Sequence, residues 1–234
     1  MRYLHLESHQ ESFALLHQKG IQGLIVSGPL ETVKTARRAG LEIRWTVPDL
    51  WRLGRLAANS RSLLLRELAF GSEFKSWFHV GIHILTSATS SIRKNFALPL
   101  EVLGRLQTLA RRGEWVYLDA HATDILVGFG NLSGLRHCVN TFRSWGFHAG
   151  LGTANLRTLA PALLDEGWLP DGILASVDPY CPTDRTHEDL EWGKILGVEI
   201  VWDLSRVHES WALYGQWASL PRIVAPLEHE AASR

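Results

Sequence analysis

Short apolar runs alternate with amphipathic segments along most of the chain, and this alternation predicts parallel β-strands joined by helices. The apolar runs have the length and the β-branched or aromatic content that are typical of buried strands. The predicted strands are GLIVS (23–27), LEIRWTV (41–47), VGIHILTS (80–87), WVYLDA (115–120), HAGLGTA (148–154), GILASVD (172–178), VEIVWDLS (198–205) and RIVAPL (222–227).

The segments between these runs carry the signals with which helices begin and end. PLETVKTARRAG and FALPLEVLGRLQTLARRG finish with basic residues before a glycine, at Gly40 and Gly113, as expected at a helix C-terminus. Two further segments begin at Asn131 and Asn155, which suit N-capping, and close on glycine. THEDLEWGKILG has acidic residues in its first turn. Strand and helix therefore alternate, as in a parallel α/β fold.

Eight strand–helix alternations predict a (β/α)8 TIM barrel that forms one domain over residues 1–234. A doubly wound open sheet is the alternative. RYLHL (2–6) and a helix at 11–20 precede the first of the eight strands, so an N-terminal strand–helix extension is expected. Seven residues follow Leu227. The C-terminus is thus expected to be truncated, with the N-terminal helix in place of the one that normally follows strand eight.

The charge balance narrows the classes of partner. Twenty-four basic residues balance 24 acidic ones, whereas binding to nucleic acid or to an acidic membrane favours a basic excess. No apolar run has the length or flanks of a signal peptide or a membrane span, and the two cysteines lie in unlike contexts. These features predict a cytoplasmic protein with a small-molecule substrate and leave its oligomeric state open. Ten tryptophans fit packing or a pocket wall.

Seven motifs are informative because of their order. TARRAGLEIRWTVPDLW precedes SRSLLLRELAFG, VGIHILTSA, RLQTLARRGEWVYLDAHATD, HAGLGTANLRTLAPALLDEG, ILASVDPY and IVWDLSRV. This order, from about residue 30 to 226, resembles the aldo/keto reductase superfamily, whose fold is a (β/α)8 barrel. The resemblance implies that hydride passes from NADPH to a carbonyl group, while a tyrosine assisted by a lysine protonates the carbonyl oxygen.

Position by position, the resemblance carries over only in part. The family's histidine falls on His121 with a shift of one residue, and Asn155 and Tyr180 suit a nicotinamide ring. The family's other positions fall on residues of different chemistry: its lysine on Ser87 or Ala88, its aspartate near Trp45 or Thr46, and its tyrosine near Leu50 or Trp51. An enzyme without a cofactor is therefore the first expectation, and NADPH is the alternative cofactor.

Residues at the carboxyl ends of the strands face the active site of a parallel barrel, and this rule supplies the candidates. His121 is the expected proton-transferring group, since histidine changes charge near neutral pH, and Asp119 is expected to orient its ring. Asp178 and Asp203 end neighbouring strands and are expected to provide a second acid or base. The alternative for these residues is helix or loop capping. The expected substrate-binding residues are Thr46, Trp45, Asp49, Ser87, Asn155 and Tyr180.

Arg44 and Glu199 fall inside predicted strands, where a buried ion pair is expected rather than a substrate anchor. Histidines and carboxylates have no specific metal-ligand spacing, so no metal site is predicted. The expected function is acid/base chemistry on a small molecule, such as elimination, cyclisation or isomerisation, without a cofactor. The alternatives are a NADPH-dependent reductase and a non-catalytic barrel that binds a ligand or a partner.

Overall fold

Residues 2–6, 21–26, 32–47, 110–177, 183–204 and 223–224 are described by the computed structural model. In these residues the strands are β1 (Arg2–Leu6), β2 (Ile21–Val26), β3 (Glu42–Val47), β4 (Trp115–Leu118), β5 (His148–Thr153), β6 (Gly172–Ser176), β7 (Glu199–Asp203) and β8 (Ile223–Val224). The helices are α1 (Thr32–Arg38), α2 (Ala120–Gly128), α3 (Leu132–Ser144), α4 (Leu156–Asp165) and α5 (Thr183–Leu196).

The strands β2 to β7 form a curled parallel sheet in which each strand pairs with the next one along the chain. Arg44 of β3 makes an ion pair with Glu199 of β7, although these strands are four positions apart in the sheet. In a flat sheet that separation would be about 19 Å, beyond the reach of an arginine side chain. The sheet therefore curls until its inner face encloses both residues, and helices cover its outer face.

Alternation along each strand sorts the side chains onto the two faces of the sheet. The concave face carries the buried cluster of Ile25, Tyr117, Leu174 and Val201, while the alternate residues pack against the helices. Glycines on the concave face leave room for aromatic rings. A Cβ on Gly150 would contact the Tyr117 ring and lie 2.8 Å from the carbonyl oxygen of Gly172.

The prediction that RYLHL is an extension outside the sheet is wrong. RYLHL is β1, which pairs in parallel with β2 along five residues. Two residues of β8 pair with β7, and the same strand pairs with Arg2 and Tyr3 of β1. LEIRWTV and WVYL were assigned to strands separated by another strand, yet β3 and β4 pair directly from Arg44↔Trp115 to Val47↔Leu118. The predicted strand 80–87 and the predicted helix 11–20 lie outside the described residues.

The α/β alternation itself is confirmed. The predicted helix signals agree with α1, α3, α4 and α5, and glycines with positive φ follow the helices where predicted, including Gly40 (80°) and Gly146 (86°). One helix, α2, was not predicted, because its residues follow the apolar run of β4 without a turn signal. None of the helices in the described ranges has the length and apolar character needed to cross a membrane.

Candidate functional site

The chain turns into α2 immediately after β4. Asp119 is the N-cap of α2, and its Oδ1 accepts a hydrogen bond from the backbone N–H of His121 at 2.9 Å. The same Oδ1 lies 3.3 Å from His121 Nδ1, and the histidine side chain is 63% exposed. The strand predicted over 115–120 ends earlier, at Leu118, so Asp119 lies outside β4 and His121 lies in α2. The helix cap, rather than strand alternation, brings the carboxylate to the imidazole.

The position of α2 is unusual for a crossover between parallel strands. A single helix is enough to return the chain to the next parallel strand. Here two helices, α2 and α3, lie between β4 and β5. α2 packs at the carboxyl end of β5, where a Cβ on Gly152 would lie 2.9 Å from both Ala120 N and Leu118 O. Only a residue without a side chain allows the first turn of α2 this close to the end of β5. His121 therefore lies at the carboxyl end of the sheet.

Three polar residues lie near the carboxyl ends of other strands. They are Thr46 of β3, Ser176 of β6 and Asp203 of β7. Their strand neighbours pack against the helices, so these three residues lie on the concave face, as Leu174 does. Ser176 and Asp203 are direct neighbours in the sheet. Thr46 is buried, and its hydroxyl lies 3.5 Å from the carbonyl oxygen of Val26. Hydroxyl and carboxylate groups thus line the carboxyl end of the concave face.

The remaining predicted residues have different outcomes. Asn155 is the exposed N-cap of α4, and its side chain makes no capping hydrogen bond. Trp45 is fully buried on the helix-facing side, where its indole N–H donates to Glu114 Oε2 at 3.0 Å. This placement directs Trp45 away from the concave face. Asp49, Ser87, Asp178 and Tyr180 lie outside the described residues.

Sequence reasoning missed Ser176 and Asp124. Ser176 has the same strand parity as Leu174, but GILAS has no alternation of polar with apolar residues that would have singled it out. Asp124 lies on α2, and both of its carboxylate oxygens accept hydrogen bonds from the end of β5. The signal for α2 was helical spacing, since Asp119, Ala122 and Leu126 fall on one helix face.

The amino end of the concave face carries a network of paired charges. Arg44 is almost fully buried, its Nε donates to Glu42 Oε1 at 2.8 Å, and its Nη1 donates to the Tyr117 hydroxyl at 2.6 Å. Nη1 also bonds Glu199 Oε1, and the guanidinium carbon lies 4.7 Å from the centre of the Trp115 ring. The predicted buried pair between Arg44 and Glu199 is confirmed. The network has two further members, Glu42 and Tyr117, that the sequence did not indicate.

Glu114 joins three elements at the same end of the sheet. Its two carboxylate oxygens accept hydrogen bonds from Arg37 Nε and Nη2, each at 2.7 Å. Trp45 and the backbone N–H of Arg111 also donate to Glu114, the latter at 2.9 Å. A shallow groove of about 530 Å³ opens beside these residues. Because Arg37, Glu42 and Glu114 in its wall are already paired, we place the candidate site at the carboxyl end instead.

Two aspartates have opposite electrostatic surroundings. Asp171, just before β6, accepts from Arg143 Nη2 at 2.6 Å and from the Ala149 N–H at 2.7 Å. Burial raises the pKa of Asp171, but these hydrogen bonds and the charge of Arg143 outweigh it and hold the pKa below its usual range.

Asp189 of α5 lies where α5 packs against α4. Its Oδ1 is buried without a hydrogen-bond partner, and Arg157 Nε lies 3.5 Å from it. Burial raises the pKa of Asp189 to about 6, and Glu188 adds to this rise, while Arg157 opposes it. The surroundings of the two carboxylates therefore shift their pKa values in opposite directions.

The described part of the chain contains no group of three or more histidine, cysteine, aspartate or glutamate residues that could hold a metal ion. Comparison of the chain with protein-family models, with curated proteins and with solved structures found no match. The resemblance of its motifs to aldo/keto reductases therefore stays a prediction.

Proposed function

We propose that the chain is a (β/α)8 barrel enzyme that transfers protons on a small molecule at the carboxyl ends of its strands, without a redox cofactor. Closure into a complete barrel is part of this proposal and is supported by the pairing of β8 with both β7 and β1. Active sites of such barrels lie at the carboxyl ends of the strands. The replaced lysine and tyrosine positions favour chemistry other than hydride transfer.

The observation that carries the proposal is the contact between Asp119 and His121. A carboxylate beside Nδ1 favours the tautomer with its proton on Nδ1, which leaves Nε2 as the base. The imidazole is mostly exposed, so a ligand at the carboxyl end has access to it. When Nε2 takes a proton, the Asp119 carboxylate stabilises the resulting imidazolium.

The concave face supplies the second group that proton transfer needs. Asp203 and Ser176 lie side by side at the carboxyl ends of β7 and β6, and they bind or polarise the substrate in this proposal. Elimination, cyclisation and isomerisation all require one group that takes a proton and another that returns it or stabilises the developing charge. Asn155 provides a further hydrogen-bonding side chain beside α4.

The test begins with a thermal-shift panel of small carbonyl and hydroxy compounds, with NADPH as one member. Compounds that raise the melting temperature are then assayed for turnover. The variant His121→Ala is expected to lower kcat by about 10²–10⁴-fold, as is typical for loss of a general base. Asp119→Asn is the sharper variant, since asparagine still caps the helix but does not stabilise an imidazolium. His187→Ala, at an exposed position of α5, is the matched control.

Equal turnover by the wild type and His121→Ala would contradict the proposal. Saturable binding of NADPH with carbonyl reduction would favour the reductase alternative. If no compound of the panel is turned over and a protein partner is retained through purification, the non-catalytic alternative is favoured.

A further inference from the structure

The carboxylate of Asp124 connects α2 to the end of β5. Thr153 Oγ1 donates to Asp124 Oδ1 at 2.6 Å, and the backbone N–H of Ala154 donates to Oδ2 at 3.0 Å. Thr153 is fully buried and Asp124 is partly buried. Charge-assisted hydrogen bonds in such surroundings are stronger than bonds between neutral groups. Both oxygens of one side chain thus hold two consecutive residues of the neighbouring element.

The Thr153 hydroxyl extends this connection to α4. It donates to Asp124 and accepts from the backbone N–H of Asn155 at 2.9 Å. Because the hydroxyl has one proton, its donation to Asp124 orients its lone pairs for the Asn155 N–H. The N-cap side chain of Asn155 makes no capping bond of its own. The position of the α4 N-terminus therefore depends on Thr153 and, through it, on Asp124.

α2 needs such a fixed point. It has nine residues, and a helix this short is marginal without contacts to the rest of the fold. His121 precedes Asp124 by three residues, so both lie on neighbouring positions of one helix surface. A rotation of α2 about its axis would break the bonds of Asp124 and move the imidazole of His121 together with them.

We propose that Asp124 is a positioning residue that fixes His121 and Asn155 relative to each other at the carboxyl end of the sheet. The catalytic consequence rests on the proposed function of His121, whereas the geometric coupling does not. The coupling joins three parts of the chain: helix α2, the end of β5 and the N-terminus of α4. Thr153 is the link between the last two.

The experiment is solution NMR on the full chain, with four variants. Asp124→Ala removes both bonds, Thr153→Val removes the hydroxyl at constant shape, and Thr153→Ser keeps the hydroxyl. Asp165→Asn is the matched control, since Asp165 is exposed at the end of α4. The readouts are hydrogen exchange of the Ala154 and Asn155 amides and the side-chain ¹⁵N shifts of His121, which report its tautomer.

We expect Asp124→Ala to speed exchange of the Ala154 amide by about tenfold or more, because a hydrogen bond that protects it is lost. Thr153→Val is expected to do the same at Asn155, and both variants are expected to change the tautomer ratio of His121. Thr153→Ser and Asp165→Asn are expected to match the wild type. If a substrate is found, Asp124→Ala should lower kcat more than it changes KM.

Unchanged His121 shifts in Asp124→Ala would overturn the coupling. Rapid exchange of the Ala154 and Asn155 amides in the wild type would do so even if no variant folds. The two proposals fail separately. Loss of protection in Asp124→Ala, together with full activity of His121→Ala, would retain the coupling and reject the catalytic role of His121.

Discussion

The two ends of the curled sheet differ in how their charges are satisfied. At the amino end, Arg44 joins Glu42 and Glu199, and Arg37 joins Glu114, so these five charges bond to one another. At the carboxyl end, Asp119 contacts an exposed histidine, and Thr46, Ser176 and Asp203 lie on the concave face. Paired charges hold a structure together, while the exposed imidazole of His121 is available to a ligand. The difference indicates that stability and function are divided between the two ends.

The largest effect is expected at the amino end, from Arg44→Ala. This change removes the Arg44 guanidinium from the carboxylate of Glu199, whose side chain is 16% exposed. Removal of one partner of a buried ion pair costs about 3–5 kcal/mol in the free energy of unfolding. Urea denaturation measures the loss, and Arg38→Ala, at an exposed position of α1, is the control. A loss of less than about 1 kcal/mol in the free energy of unfolding would contradict a stabilising role of the amino end.

The packing between the two ends is tested by Gly150→Ala. The new methyl group would contact the Tyr117 ring and the carbonyl oxygen of Gly172, and overpacking of this kind costs about 1–3 kcal/mol. Gly128→Ala is the opposite control, because nothing lies within 4 Å of a Cβ there and alanine favours the helix by about 0.5–1 kcal/mol. Thermal unfolding should lower the melting temperature for the first variant and raise it for the second. A melting temperature of Gly150→Ala that is as high as that of Gly128→Ala would show that the concave face has spare volume.

The two aspartates with opposite pKa shifts sharpen the comparison further. The pKa of Asp189 is raised to about 6 from 3.8, so the stability that protonated Asp189 contributes is full below about pH 4 and is lost as pH rises through 6. Asp189→Asn is therefore expected to stabilise the fold at pH 8 by about 1–2 kcal/mol and to flatten this pH dependence. Denaturation midpoints at pH 4 and pH 8 measure the effect.

Asp171→Asn is the counterpart. The pKa of Asp171 lies below 3.8, so its contribution is present above that value and is lost as pH falls through the lowered pKa. Replacement by asparagine at pH 8 is expected to destabilise the fold by about 1 kcal/mol. The same sign for both variants at pH 8 would contradict the contrast between their surroundings.

The smallest effect on stability is expected for His121→Ala. The side chain is mostly exposed, and alanine is a good helix former, so the free energy of unfolding should change by less than about 0.5 kcal/mol. Asp119→Ala is expected to cost about 1 kcal/mol because it removes the N-cap bond. A large loss of stability in His121→Ala, seen by urea denaturation, would indicate a structural role for this residue.

Local patterns were sufficient to predict the described strands and every described helix except α2, but not their spatial neighbours. Alternation predicted both ends of each strand from β2 to β7 to within two residues. It also placed Arg44 and Glu199 inside strands. The order of strands in the sheet is a long-range property. RYLHL and the run at 80–87 both have the pattern of a strand, and local pattern alone could not decide which of them belongs to an eight-stranded sheet. Pairing of β3 with β4 shows that LEIRWTV and WVYL are neighbours.

The candidate site was predictable in part for the same reason. Strand-end position selected His121 and Asp119, and their contact is present, but through a helix cap that the apolar run of β4 concealed. Trp45 was selected by alignment to a family pattern, and alternation alone would have placed it on the helix-facing side. The role of Asp124 depends on α2 meeting β5, which no spacing along the chain reveals.

The most direct test of the account is to map ligand binding by amide chemical shifts in a ¹⁵N-labelled full chain. The compounds are those that raise the melting temperature in the thermal-shift panel. We expect the perturbed amides to be those of the carboxyl end, including His121, Gly152, Asn155 and Asp203. Perturbation confined to the groove at the amino end, around Gln22, Leu41 and Arg111, would contradict the division of the sheet into a stabilising end and a functional end.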